Sequence, residues 1–182
     1  MAKQFNRLAL AHQQFIVAQH LFFVATAADS GKVNTSPKGM DSLRVIGPNR
    51  IVWRNSTGSG NETAGHLRAN PRMTLMWCSF DATPLILRCY GTATMIHQDD
   101  PGWTIANAAF PPDLGARQIF EMTIDLVQTS CGFGVPRMGY GGERPDADDW
   151  VAGKGPDGIR AYWAEKNRTT LDGFETGIEA NL

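Results

Sequence analysis

Short apolar runs separated by turn-forming residues constrain the fold of this chain more than any other feature of its sequence. The turn signals Asp29-Ser30-Gly31 and Gly47-Pro48-Asn49 each separate two such runs, which predicts two β-hairpins. Three longer strands are predicted at residues 73–80, 85–96 and 120–126. Because hairpins follow one another in series and helical patterns are few, we predict a mostly β fold, an antiparallel barrel with peripheral helices.

Two of the predicted strands differ in the pattern of their side chains. Residues 73–80 are nearly all apolar, so we expect that strand to be buried on both faces. Residues 85–96 alternate instead, with Arg88 and Tyr90 on one face and apolar side chains on the other.

Helical patterns are few and short. They are predicted for residues 6–19, 62–69, 99–110 and about 159–167. The segment 139–156 is rich in glycine, proline and aspartate, so we expect it to be loop. No linker or internal repeat divides the sequence, and we expect residues 1–182 to form a single domain with a loop-rich tail and a short helix from about residue 137.

Charge and cysteine content limit the classes of function. The formal net charge of -1 argues against a partner such as nucleic acid or an anionic membrane, which would require a basic surface. Cys78, Cys89 and Cys131 lack metal-ligand spacing, and the four histidines form no metal motif, so no metal site is expected. With no signal peptide and no apolar run near the roughly 18 residues of a membrane span, we expect a cytoplasmic protein.

The segment Asn55-Ser56-Thr57-Gly58-Ser59-Gly60-Asn61-Glu62-Thr63 is composed like an anion-binding turn. It follows an apolar run and precedes a helical pattern, and the start of a helix carries roughly half a positive charge. It matches only part of the dinucleotide fingerprint, since Thr63 stands where the third glycine should be, and no βαβ unit surrounds it. It also lacks the lysine of a Walker motif. From the segment alone, a plain turn with Ser59 or Asn61 as helix N-cap is an equally good interpretation.

Two cations could accompany this turn. Lys38 ends a strand beside Pro37 and Gly39, where it could lie near an anionic ligand or be a solvated turn residue. Arg88 lies within a strand, and a buried arginine requires an anionic partner, either a ligand phosphate or a carboxylate. Catalysis by Cys131 has no support, because no histidine is close to it in the sequence.

The order of these motifs resembles that of the FMN-binding split-barrel proteins related to pyridoxamine 5'-phosphate oxidase, over roughly residues 15–136. The motifs that carry the resemblance are Thr26–Ala28, Asn34–Gly39, Trp53–Thr63, His66–Arg72 and Leu85–Ala93. The resemblance implies an antiparallel split barrel that forms a homodimer, with FMN in clefts between the subunits. It implies cofactor binding by Thr35, Ser36, Pro37, Lys38, Asn55, Ser56, Thr57, Gly58, Asn61, Glu62, Thr63 and Arg88.

Two departures from the family pattern bear on function. The phosphate-binding Ser-Arg-Lys of the oxidases aligns with Asn61-Glu62-Thr63, which has no cation, so positive charge would come from Lys38, Arg54 or Arg88. Glu62 would also have to turn away from a phosphate. The basic Arg-Leu-His substrate segment of the oxidases is missing, so pyridoxamine phosphate is not the expected substrate.

We therefore expect an FMN-dependent oxidoreductase of unknown substrate, in which Lys38 stabilises negative charge on reduced flavin. No side chain stands out as a general acid or base, and the catalytic residues stay unassigned. The alternatives are a non-catalytic flavin-binding or sensing module, a split barrel that binds haem or deazaflavin, and a structural dimer without ligand. An absorbance spectrum of the purified protein distinguishes a flavin from haem, and stopped-flow reduction by NADH and NADPH distinguishes an oxidoreductase from a binding module.

Overall fold

A computed structural model describes residues 2–182, in which eight strands form one antiparallel sheet accompanied by four α-helices. The strands are β1 (Lys3–Phe5), β2 (Phe22–Thr26), β3 (Asn34–Lys38), β4 (Leu43–Gly47), β5 (Arg50–Ser56), β6 (Arg72–Cys78), β7 (Ile86–Ile96) and β8 (Ala116–Ser130). The helices are α1 (Leu10–Val17), α2 (Glu62–Ala69), α3 (Trp103–Asn107) and α4 (Asp146–Lys166), followed by a 3₁₀ helix (Ile178–Asn181).

The sheet curls into a barrel. Its strand order is β3-β2-β6-β7-β8-β5-β4, with β1 paired to β8. Although β2 and β5 stand near opposite ends of this order, the ring centroids of Phe22 and Trp53 lie only 6.1 Å apart. The two ends of the sheet therefore meet around a shared core, which confirms the predicted antiparallel barrel and both predicted hairpins.

Apolar side chains on the inner face fill the barrel. The rings of Trp53 and Phe120 stack with their centroids 4.7 Å apart, and both side chains are fully buried. Leu75 and Leu87 bring β6 and β7 into the same core. Because burying one such side chain contributes about 1.5–3 kcal/mol, this core holds the curled sheet together.

Two local predictions from the sequence are wrong. Strand β6 is not buried on both faces: Met73, Leu75 and Trp77 are buried, while Thr74 and Met76 are half-exposed. Its outer face lies outside the barrel of a single chain. The third helix is also shorter than predicted, since α3 spans only Trp103–Asn107.

The loop prediction for residues 139–156 is wrong from Asp146 onward, where α4 begins. Gly155 (φ 65°, ψ 177°) interrupts α4, which consists of two helical segments joined at a kink. Three aspartates occupy the first turn, where carboxylates favour a helix N-terminus. Pro156 follows the kink, at the start of the second segment, where its missing N–H costs nothing. Residue types that favour loops therefore act here at helix starts.

Within residues 2–182, no helix is both long and apolar enough to cross a membrane.

Candidate functional site

A cavity of about 270 Å³ lies where β3, the turn after β5 and the start of α2 meet. It is lined by Asn34, Ser36, Lys38, Asn55, Ser56, Thr57, Gly58, Ser59, Gly60, Asn61, Glu62, Thr63 and Arg117. The turn predicted to bind an anion and the end of the β3 strand are thus brought together, although about twenty residues separate them in the sequence.

The backbone N–H groups of residues 58–63 have no protein acceptor within residues 2–182. Pairing with β8 ends where the N–H of Thr57 donates to the carbonyl of Gly115 (2.8 Å). The next backbone donor in use is the N–H of Gly65, which reaches the Asn61 carbonyl (3.4 Å). Asn61 occupies the N-cap position, but its side chain does not cap the helix. Unpaired N–H groups at a helix start form a ready site for an anion.

Lys38 brings a positive charge to this cavity. Its Nζ lies 5.5 Å from the centroid of the Trp53 ring, a cation–π distance. Within residues 2–182, no carboxylate lies within ion-pair distance of this ammonium. Burial lowers the pKa of Lys38 to about 8, and the nearby positive charge of Arg117 contributes to this lowering. The ammonium is therefore costly to hold in the absence of an anion.

Arg117 on β8 is the second cation, and its side chain is only 2% exposed. Its guanidinium donates to the carbonyls of Gly58 (3.3 Å) and Gly60 (3.0 Å) and to Oδ1 of Asn167 (2.6 Å). A fourth hydrogen bond reaches Oε1 of Gln118 (3.2 Å). All four acceptors are neutral, and burial lowers the pKa of Arg117 to about 9. A buried cation without a counter-charge is expensive, so this site favours an anion.

Sequence reasoning missed Arg117. It is 57 residues from the Gly60 carbonyl that it contacts, and the alternation of β8 was recognised only from Phe120 onward. One signal was available, since Arg117 lies two residues before the apolar pair Ile119-Phe120 in the sequence. The argument made for Arg88, that an arginine in a buried strand requires an anionic partner, applies better to Arg117.

Glu62 lines the cavity, but its carboxylate is engaged by the tail. Oε1 and Oε2 accept from the backbone N–H of Leu171 at 3.1 and 3.2 Å. The residue that would repel a phosphate is therefore held by a neutral donor from another segment.

Several predicted polar ligands already serve to shape the turn. The hydroxyl of Ser56 donates to Asp113 (2.7 Å), and that of Thr57 donates to the Gly115 carbonyl (2.7 Å). The Asn55 amide donates to Gln118 (3.1 Å). The hydroxyl of Thr63 only accepts, from Asn34 at 3.5 Å, and its proton stays available to a ligand.

Four other residues named from the sequence lie outside this cavity. Thr35 and Pro37 are exposed on the opposite side of β3. Arg54 donates to the Pro111 carbonyl and lies 3.6 Å from Asp113. Arg88 on β7 donates to the hydroxyl of Ser130 (3.3 Å). Of the three cations considered for the phosphate, only Lys38 reaches the cavity of its own chain.

Three larger cavities, of about 730, 460 and 380 Å³, lie elsewhere on the barrel, and the arginine of the last, Arg50, is paired with Glu121. The arginine in the first, Arg44, is paired with Asp41. The arginine in the second, Arg72, donates to the side chain of Asn70. The cavity of about 270 Å³ is distinguished from these three by its two cations without a carboxylate partner, and we assign the candidate site to it on that ground.

Known proteins share this fold. A protein of Lactobacillus delbrueckii with a provisional pyridoxamine 5'-phosphate oxidase assignment superposes with a TM-score of 0.55 at 21% identity, over 68% of this chain and 94% of that one. A variant of HupZ from group A Streptococcus superposes with a TM-score of 0.53 at 17% identity, over 67% of this chain and 98% of that one. At these identities the likeness shows the fold, an antiparallel split barrel.

The sequence itself matches a family. The pyridoxamine 5'-phosphate oxidase family matches residues 8–131. The pyridoxamine 5'-phosphate oxidase family protein ustO of Aspergillus flavus is 43% identical over 131 residues, which cover 69% of this chain and 53% of that protein. The chain thus spans about half the length of this curated relative. From the extent of both matches, the chain belongs to the pyridoxamine 5'-phosphate oxidase family.

Proposed function

We propose that the chain binds FMN with the phosphate in the cavity beside α2, and that it acts as an FMN-dependent oxidoreductase. The observation that carries the proposal is that Lys38 and Arg117 line the same cavity as the unpaired N–H groups of residues 58–63. Neither cation has a carboxylate partner within residues 2–182. A phosphate monoester carries about 1.5–2 negative charges at neutral pH and would compensate both.

FMN fits this site better than a free phosphate does. Membership of the family supports a flavin as the cofactor. The order of motifs in this sequence resembles that of the FMN-binding proteins related to pyridoxamine 5'-phosphate oxidase, which implies FMN. The cavity is slightly smaller than the range of about 300–1,000 Å³ typical of small-molecule sites. It therefore suits the phosphate end of a larger molecule, whose remainder would need a further wall.

A second copy of the chain would supply that wall, so we propose a homodimer with the cofactor at the subunit interface. The outer face of β6, with Met76 only half-buried, is one surface available for such contacts. Size-exclusion chromatography with light scattering should give twice the 19.9 kDa mass of one chain. A mass of one chain that persists with FMN bound would contradict the dimer.

The proposed roles of the residues follow from their positions. The N–H groups of residues 58–63 and the hydroxyl of Thr63 would donate to the phosphate, and Arg117 would supply charge behind them. Lys38 would hold positive charge toward the rest of the cofactor, and an anion beside it would raise its pKa from about 8. When bound, FMN supplies hydride and electron transfer, which the side chains present do not provide.

A non-catalytic flavin-binding or sensing module is the second candidate. The lining of the cavity contains no histidine or cysteine, and its one carboxylate, Glu62, is held by Leu171. A module of this kind would bind FMN and not turn over.

In either case we place the protein in the cytoplasm, since Cys78, Cys89 and Cys131 are free thiols.

The test is the absorbance spectrum of the purified protein, with mass spectrometry of the released ligand. A flavin band with the mass of FMN supports the proposal, and the mass of FAD would correct the cofactor. A Soret band would contradict flavin binding. Stopped-flow reduction by NADH and NADPH, followed by reoxidation in air, separates an oxidoreductase from a binding module.

A further inference from the structure

We infer that Asn167 is a positioning residue of the anion site, whose neutral amide orients Arg117 and leaves its positive charge available to the phosphate. The inference rests on the proposed function and extends it. Asn167 lies in the tail, beyond residues 8–131 that match the family. The site is thus completed by a segment that the family match does not include.

Asn167 connects the guanidinium to the turn. Its side chain is fully buried. Its Oδ1 accepts from Nη1 of Arg117 (2.6 Å), and its Nδ2 donates to the Gly58 carbonyl (3.1 Å). Its own carbonyl accepts from Nδ2 of Asn61 at the start of α2 (3.4 Å). One residue therefore fixes the cation, the turn and the first residue before the helix relative to one another.

The tail holds Asn167 in place by backbone and side-chain hydrogen bonds. The backbone N–H of Asn167 donates to the Trp163 carbonyl (3.0 Å), which ends α4 there. Trp163 in turn donates from Nε1 to the hydroxyl of Thr57 (2.8 Å). The hydroxyl of Thr176 donates to the Asn167 carbonyl. The geometry around Arg117 is thus set by packed segments of the tail rather than by a free side chain.

The neutrality of the amide matters as much as its position. An aspartate side chain has the same length as asparagine. At this position it would also accept a hydrogen bond from Arg117 and would form an ion pair with it. That pair would remove one of the two charges available to a phosphate and would add a negative charge nearby. A carboxylate would also be unable to donate to the Gly58 carbonyl. Asparagine satisfies both contacts and keeps the cradle cationic.

The variant Asn167→Asp separates this role from a merely structural one. The probes are FMN, riboflavin, which lacks the phosphate, and inorganic phosphate. In protein from which bound flavin has been removed, we expect Asn167→Asp to lower the affinity for FMN by at least about tenfold, since the new carboxylate offsets one of the two phosphate-binding cations. The affinity for riboflavin should stay within about twofold of the wild-type value, because riboflavin has no phosphate that the new carboxylate could repel. Thermal stabilisation by inorganic phosphate should disappear.

Asn181→Ala is the matched control. Asn181 is also a buried tail asparagine, and its Nδ2 donates to the backbone carbonyl of Arg117 rather than involving the guanidinium. This variant should lose stability and keep the wild-type ratio of FMN to riboflavin affinity. If Asn167→Asp fails to fold, Asn167→Ala against Asn181→Ala makes the same comparison, and only Asn167→Ala should lower that ratio.

The outcomes separate this inference from the proposed function. If Asn167→Asp binds FMN as the wild type does, or loses affinity for FMN and riboflavin equally, the proposed role of Asn167 is wrong, while the proposal that the protein binds FMN stands. If the wild type binds no flavin but its stabilisation by phosphate is lost in Asn167→Asp, the cofactor is wrong and the anion site stands. A wild type that neither FMN nor phosphate stabilises overturns both.

Discussion

Lys38 on β3 and Arg117 on β8 line one cavity, and each is without a carboxylate partner among residues 2–182. Burial and the positive charge of Arg117 both lower the pKa of Lys38, so Arg117 destabilises the ammonium of Lys38. Two nearby cations without a counter-charge are unfavourable unless an anion compensates them. The same cavity is lined by a turn whose N–H groups are unpaired, and the site as a whole is complementary to a phosphate.

The first prediction concerns Lys38 and pH. Its pKa in the folded protein, about 8, lies below the ordinary value of 10.5, so between these values the unfolded chain binds more protons. The stability of the ligand-free protein due to this group therefore rises with pH from about 8 to about 10. We expect Lys38→Met to stabilise the ligand-free protein at pH 7 by about 1 kcal/mol, a discounted figure because Lys38 is only half-buried.

Urea unfolding from pH 6.5 to 9.5 measures this difference. The gain from Lys38→Met should shrink as the pH rises past 8, and it should reverse at pH 7 when phosphate is added. A gain that does not change with pH would mean that the charge of Lys38 is not the cause.

The second prediction concerns Arg117. Arg117→Met removes the more buried cation, and we expect FMN affinity to fall on the order of 100-fold, about 2.7 kcal/mol. Arg117→Lys keeps the charge but not the planar geometry that reaches four oxygens, so its loss should be intermediate. Fluorescence quenching of FMN measures both.

Arg54→Met is the control for this experiment. Arg54 is also buried, but it donates to Pro111 outside the cavity. Its variant should lose stability and retain FMN affinity. An equal loss of FMN affinity in Arg54→Met and Arg117→Met would show that the effect is general.

The third prediction concerns Glu62. Glu62→Arg removes the one carboxylate of the cavity lining and places a cation where the oxidases carry their phosphate-binding arginine. We expect FMN to bind about tenfold more tightly, at a cost of about 1 kcal/mol in stability for the lost acceptor of the Leu171 N–H. Glu62→Gln, which can still accept that N–H, should give a smaller gain in affinity. Unchanged affinity in both variants would place the phosphate away from the start of α2.

The fourth prediction concerns the packing of α2 against the tail. A Cβ at Gly65 would collide with Cγ2 of Thr170, and 3.3 Å would separate it from the Phe174 carbonyl oxygen. We therefore expect Gly65→Ala to destabilise the protein by about 1–3 kcal/mol. Gly153→Ala is the helical control, since nothing lies within 4 Å of its added Cβ, and it should be neutral or stabilising. Chemical denaturation compares them, and equal effects would contradict the packing.

The strands and the turn at residues 55–63 were accessible from the sequence because their signals are local. The turns at residues 29–31 and 47–49 lie between the strands of their hairpins, and residues 55–63 carry their composition in one stretch. Lys38 was identified for the same reason, since it directly ends a strand.

The rest depends on contacts between distant parts of the chain. Asn167 contacts Gly58 across 109 positions, and no spacing in the sequence encodes that pair. Arg117 was missed because the burial of a strand residue depends on its neighbours in the sheet. The helix from Asp146 was missed because aspartate, glycine and proline favour loops and helix starts alike.

The ratio of FMN affinity to riboflavin affinity in the flavin-free wild type tests the central claim most directly. The two ligands differ only in the phosphate that the cavity is proposed to hold. Two cations and a row of N–H groups should favour FMN by at least about 100-fold at low salt, and the preference should fall as salt is raised. Equal affinity for FMN and riboflavin would contradict the assignment of this cavity to the phosphate.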